Sequence, residues 1–264
     1  MPRQEIYHIH PTGWENDDEE ERFKFSTLDY MWARIYCSYA LFFRLDDINN
    51  YNVVEVLKEG LERMLSQVRH LCGTIEKDST GGHSFVKRRD STVQFIVQHL
   101  GADKEYPSLD EIEKTNFTSV SLGDLHDWSV SLMTYEEKPE AHLDCSPTVS
   151  AFKASFVRGG LVFNMHHHHS ANDVMGWAGY THQLAEHCKT ILNNTSPPPW
   201  NPALLDRSRL LKPEPPEEKK VNGPPLSEAH PAHVESVSLL FHPPPPPKSK
   251  AAELKRLASP TDGT

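Results

Sequence analysis

The chain reads as a mixed α/β (α+β) protein in which a β-sheet is covered by helices. Three observations predict that class. Short segments rich in aromatic and β-branched residues are separated by turn-forming clusters. Two longer stretches repeat apolar residues at three- and four-residue steps. A strand, turn, strand unit runs directly into the second of these stretches.

The segment YMWARIYCSYALFFRL carries the first β signal and closes at DDINNYN, so a strand is expected over 35–44. Val53, Val54, Leu57, Leu61, Met64, Leu65 and Val68 then share one stripe of a helix that should pack on a sheet. HSFVKRR and VQFIVQHL follow as short strands. SLDEIEKTNF opens on a serine followed by acids, the composition of a capped helix start.

VSAFKASFV and LVFNMHHHH, joined at RGG, predict a hairpin, because paired glycines accept the positive φ of a tight turn. In the second strand Leu161, Phe163, Met165, His167 and His169 share one face, while Val162, Asn164, His166 and His168 share the other. Four consecutive histidines on a strand therefore do not converge on one ion. Val174, Trp177, Ala178, Thr181, Leu184, Ala185, Cys188, Ile191 and Leu192 keep a helical period until NNTSPPP ends it. Strand hands over to helix at HSAND, where Ser170, Asn172 or Asp173 can cap the orphaned amides of the first turn.

The 21 prolines cluster late, and 197–231 reads as an extended connector with polyproline II character. Beyond it VESVSLLF and KSKAAELKRLA predict one strand and one short helix, too little for a domain.

A net charge of -10, from 27 Lys and Arg against 37 Asp and Glu, gives no long-range attraction to nucleic acid or an anionic bilayer. The four cysteines are scattered, with no CxxC pair, which fits a reducing compartment. No stretch approaches the roughly 18 apolar residues of a membrane span, and the start has no apolar leader. A cytoplasmic protein is expected.

His169 followed by Asp173 is the candidate chemistry. Histidine takes a proton from a hydroxyl near neutral pH and returns it later, which suits a general base. The aspartate can orient the ring directly or hold the loop through a structural ion pair, and spacing does not choose between them. Three plainer readings compete. An affinity tag is disfavoured because the run lies inside a patterned strand. A metal site is disfavoured by strand alternation and by the lack of a cysteine or HExxH partner. Histidines that simply pack are the third.

Together with LFFRL, VVEVLKEGLERMLSQVRHLCGTI and NPALLDRSRL, the stretch FVRGGLVFNMHHHHSANDVMG resembles the HxxxD acyltransferase superfamily. That superfamily includes the plant BAHD enzymes, and the fungal trichothecene 3-O-acetyltransferase-like branch looks nearer. The likeness covers residues 23–264. It implies a chloramphenicol-acetyltransferase-like architecture of two domains, each a mixed sheet covered by helices, with the active site mid-channel between them. It implies that His169 deprotonates an acceptor hydroxyl or amine, which attacks an acyl-CoA thioester directly, and that Asp173 is mainly structural. His168 matches the family's frequent paired histidine.

Two features depart from the pattern. Many members of the family place glycine directly after the aspartate, whereas Val174 and Met175 precede Gly176 here. A DFGWG-like motif of the family's second domain does not occur. The organisation expected is an acidic arm over 1–22, an acyltransferase domain over 23–205, a proline-rich linker over 206–232 and the start of a second domain over 233–264.

The expected function is acyl-CoA-dependent O-acyl transfer to a hydroxyl of a small, terpenoid or trichothecene-like specialised metabolite. Acetyl-CoA is the expected co-substrate, with no bound cofactor or metal. Two alternatives stand beside it: an inactive half-domain that binds a C-terminal half or a full-length relative, and a metal-binding protein using His167 and His169.

Overall fold

In the computed structural model the hairpin forms the middle of the main sheet. β1 (Arg3–Ile9), β3 (Tyr36–Arg44), β6 (Val93–His99), β7 (Ser150–Val157) and β8 (Gly160–His168) lie in the order β1-β6-β7-β8-β3. β6 and β7 run parallel, and the other neighbours are antiparallel. The hairpin turn uses Gly159, whose φ is 78°, and Gly160, where a Cβ would lie 2.5 Å from the Phe43 carbonyl oxygen on β3. A smaller antiparallel sheet has the order β2-β5-β4, from β2 (Glu20–Lys24), β4 (Thr74–Lys77) and β5 (His83–Arg88). The structure describes residues 3–45, 50–131, 133, 138–197, 199–206 and 210–211, all within the unit 1–219.

Every residue of β8, and every residue of β7, is buried, so both faces of the sheet need cover. On one face lie α1 (Asn50–Gln67) and α3 (Val174–Asn193). The stripe read from the sequence does this work: Leu61, Met64, Leu65 and Val68 are fully buried in one cluster with Phe95, Phe152, Phe163 and Met165. Each such side chain contributes roughly 1.5–3 kcal/mol. The two helices approach closely at Gly60, where a Cβ would stand 2.7 Å from Cys188 Sγ. Asn194, with φ 51°, ends α3 as a left-handed cap.

The other face is covered by α2 (Leu109–Lys114) and by short 3-10 turns between residues 119 and 141. Leu109, Ile112, Leu122 and Trp128 pack over Val157 and Val162. Ser108 caps α2 in a reciprocal box with Glu111. This face also buries polar groups. Lys153 donates to the carbonyls of Asp127 (2.6 Å) and Ser129 (3.0 Å), and burial pulls its pKa down to about 8.

Residues 1–22, read from the sequence as a separate acidic arm, contribute to the fold. β1 pairs with β6 from Arg3↔His99 to Ile9↔Val93, and β2 pairs with β5. The acids have a structural use. Asp17 accepts a hydrogen bond from Lys87, a fully buried residue, at 2.7 Å, and Arg69 is ion-paired with both Asp17 and Glu21. Burial pulls the Asp17 carboxyl upward, but the bonds from Lys87 and Arg69 win and hold it below the usual range.

Apart from Asp206, Leu210 and Leu211, the linker, strand and helix expected beyond 205 lie outside the described residues. No described helix is long and apolar enough to cross a membrane.

Candidate active site

β8 stops at His168, and residues 169–173 turn the chain into α3. His168 is fixed at both ring nitrogens. Its Nε2 donates to the Ala141 carbonyl at 2.8 Å and its Nδ1 accepts the Ser170 N–H at 3.2 Å, partners that leave one tautomer. Tyr36 packs edge-on against it at 5.5 Å. Burial holds its pKa down, so the ring is a neutral pin for the strand exit.

His166 and His167 turn to opposite faces of the sheet. His167 packs against Phe152 and Tyr180 among the core residues, whereas His166 feels the charge of Lys153 across the other face. Burial pushes both down to about 3, and none of their ring nitrogens has a hydrogen-bond partner among the described residues. Nor do the described residues bring three His, Cys, Asp or Glu side chains together as metal ligands.

His169 differs from the three before it. It lies one residue past β8, and its backbone N–H donates to the Ile35 carbonyl at 2.9 Å. Its half-buried ring stacks on the indole of Trp32, with centroids 4.9 Å apart and planes 12° from parallel. Nδ1 is buried without a partner among the described residues.

Asp173 is the N-cap of α3. Its Oδ1 accepts the Gly176 N–H at 2.8 Å, and its backbone carbonyl accepts the Trp177 N–H at 2.8 Å. Among the described residues the carboxylate bonds no ring nitrogen and pairs with no cation. Among the described residues it therefore does neither of the two jobs that spacing left open, and of the three candidate caps it is the one used. Gly176, displaced from the family position, supplies the capped amide. It also leaves room for Asn172, because a Cβ there would meet Asn172 Oδ1 at 2.2 Å.

Trp32, Ile35, Ala141 and Asn172 were absent from the sequence-derived site. Three of them act through long-range contacts that no local pattern announces. Asn172 had a signal, as one of three capping candidates, but its side chain is buried against Gly176 instead.

The mixed sheet presents a histidine where a central strand gives way to a helix. The chain belongs to the trichothecene 3-O-acetyltransferase-like N-terminal domain family, which it matches over residues 35–188. It is 62% identical to Acetyltransferase FGR3 of Gibberella zeae over 100% of this chain and 53% of that protein. It is 24% identical to the Trichothecene 3-O-acetyltransferase of Saccharomyces cerevisiae over 59% of this chain and 34% of that one. Its fold matches the crystal structure of F. graminearum TRI101 with a TM-score of 0.57 at 20% identity, covering 69% of this chain and 40% of that one. Vinorine synthase matches with a TM-score of 0.51 at 21% identity, covering 70% and 43%. The chain thus spans about half the length of FGR3 and a smaller share of the others.

Proposed function

We propose that this chain carries the general base of an acyl-CoA-dependent O-acyltransferase. Nε2 of His169 accepts the proton of an acceptor hydroxyl, and the freed oxygen attacks the thioester carbonyl directly. The tetrahedral adduct collapses as the C–S bond breaks, and the thiolate takes the proton back from the imidazolium. The products are an ester and free CoA. General-base assistance of this kind contributes about 10² to 10⁴ in rate, with positioning and oxyanion stabilisation supplying the rest.

One observation carries the choice of base: of the four, His169 is only half-buried, while His166, His167 and His168 are fully buried. His166 and His167 are enclosed, and both nitrogens of His168 are in use. Asp173 holds the turn from which the base projects.

The relatives suggest the substrates. The yeast relative is named a trichothecene 3-O-acetyltransferase, and TRI101 has been crystallised with coenzyme A together with T-2 mycotoxin or deoxynivalenol. A hydroxylated terpenoid acceptor and acetyl-CoA are the corresponding assignment here. Exposed Leu28, Met31 and Trp32, on the segment that packs against His169, suit an apolar acceptor. All four cysteines are unpaired thiols, which supports a cytoplasmic setting.

The test is free-thiol release from acetyl-CoA with a panel of hydroxylated terpenoids. It is run on the purified chain alone and with the C-terminal half of a family relative added. Turnover in either mixture that disappears in His169→Ala supports the proposal, and turnover only after addition assigns the second half as a required partner. Turnover unchanged in His169→Ala, or none in either mixture, overturns it.

A further inference from the structure

We infer that Trp32 is the positioning residue for the His169 imidazole, an inference that rests on the general-base proposal. A histidine base normally has its second ring nitrogen fixed by a hydrogen bond, which sets the ring plane and the tautomer. His169 has no such handle: its Nδ1 is buried without a partner among the described residues. The Asp173 carboxylate is occupied by the Gly176 amide.

What remains is the segment leading into β3. Ile35 anchors the His169 backbone at 2.9 Å, and Trp32, three residues earlier, lies flat on its ring at 4.9 Å and 12°. One short stretch therefore clamps both the main chain and the side chain of the base. An aromatic pair of this geometry biases ring orientation by about threefold to tenfold. The bias grows when the ring takes up a proton, because an indole face attracts a cation. The clamp is thus strongest in the state that proton transfer creates. Trp32 is 49% exposed, so its indole is not a core support whose loss would unfold the chain.

The experiment compares Trp32→Leu and Trp32→Phe in the full chain, supplemented with the family C-terminal half where turnover requires it. Circular dichroism checks that both are folded. Trp32→Leu should lower kcat about tenfold while the KM for acetyl-CoA changes less than twofold, and Trp32→Phe should recover kcat to within threefold. Unchanged kcat in Trp32→Leu, or an effect on KM alone, overturns the inference.

A second readout needs no turnover. Side-chain NMR, with the His169 signals assigned by their absence in His169→Gln, should show ring protons shifted upfield by the indole. That shift should survive in Trp32→Phe and vanish in Trp32→Leu. A His169 ring that gives the same signals in all three proteins overturns the inference, whatever the outcome for the general base. An absence of turnover in the wild type with the expected NMR pattern overturns the general-base proposal and leaves the clamp standing.

Discussion

His169 and Asp173, the two ends of the motif, are not hydrogen-bonded to each other: the carboxylate accepts the Gly176 amide at 2.8 Å, and the imidazole lies on Trp32. The spacing between them measures the length of a turn. It sets where α3 begins relative to the end of β8, and so where His169 projects.

Asp173→Ala should therefore act first on stability. Loss of an N-cap costs about 1 kcal/mol, and the carboxylate also meets the positive end of the helix dipole. Asp173→Asn and Asp173→Ser keep a side-chain acceptor and should recover most of that loss in urea unfolding. An asparagine variant as damaged as the alanine one would show that the charge serves something other than the cap.

Gly176→Ala sets two effects against each other. Alanine gains up to about 1 kcal/mol over glycine in a helix, while overfilling a packed site costs about 1–3 kcal/mol. Because the new Cβ would meet Asn172 Oδ1 at 2.2 Å, the clash should win and the variant should be destabilised. In an Asn172→Ala background the obstacle is gone, and the same change should become stabilising. A double-mutant cycle by chemical unfolding reads this reversal of sign, and additivity would contradict it.

Asp17→Asn should cost about 1.5–3 kcal/mol, because it replaces a charged hydrogen bond to the buried ammonium of Lys87 by a neutral one, while Glu21 at 3.5 Å still compensates part of the charge. Lys87→Met added to that variant should restore much of the loss. Thermal unfolding of the single and double variants distinguishes this from a surface pair, whose removal is worth at most about 1 kcal/mol.

Stability should fall steeply in mild acid. His166 and His167 have pKa values pushed down to about 3 by burial, so below the ordinary value near 6.5 the unfolded chain takes up protons that the native state refuses. The stabilisation is complete above about pH 6.5 and is lost progressively as pH falls toward 3. Between pH 7 and 5 each histidine accounts for about 2 kcal/mol. His167→Phe should flatten this dependence in denaturant titrations at the two pH values, and an unchanged slope would contradict the account.

Much of the fold was legible because its signals are local. The stripe from Val53 to Val68, the Ser108 capping box and the glycines of the β7–β8 turn each act within a few residues of themselves. The strands β1 and β2 were missed for a physical reason. They pair through backbone at sheet edges and expose much of their surface, so RQEIYHI and EERFK carry charge rather than a clean hydrophobic alternation. His169 as the candidate base, and a cap at Ser170, Asn172 or Asp173, were visible in HSAND, but Trp32 was not. Its stack on His169 joins residues far apart in the chain, and nothing in YMWARIY marks one aromatic residue among several as the one that touches that ring.

The most direct test of the central claim is the kcat for thiol release by His169→Gln, measured beside wild type under the conditions that support turnover. Loss of about 10² to 10⁴ in kcat, with the unfolding midpoint unchanged, is the result expected of a general base. A glutamine variant that turns over within threefold of wild type would contradict it.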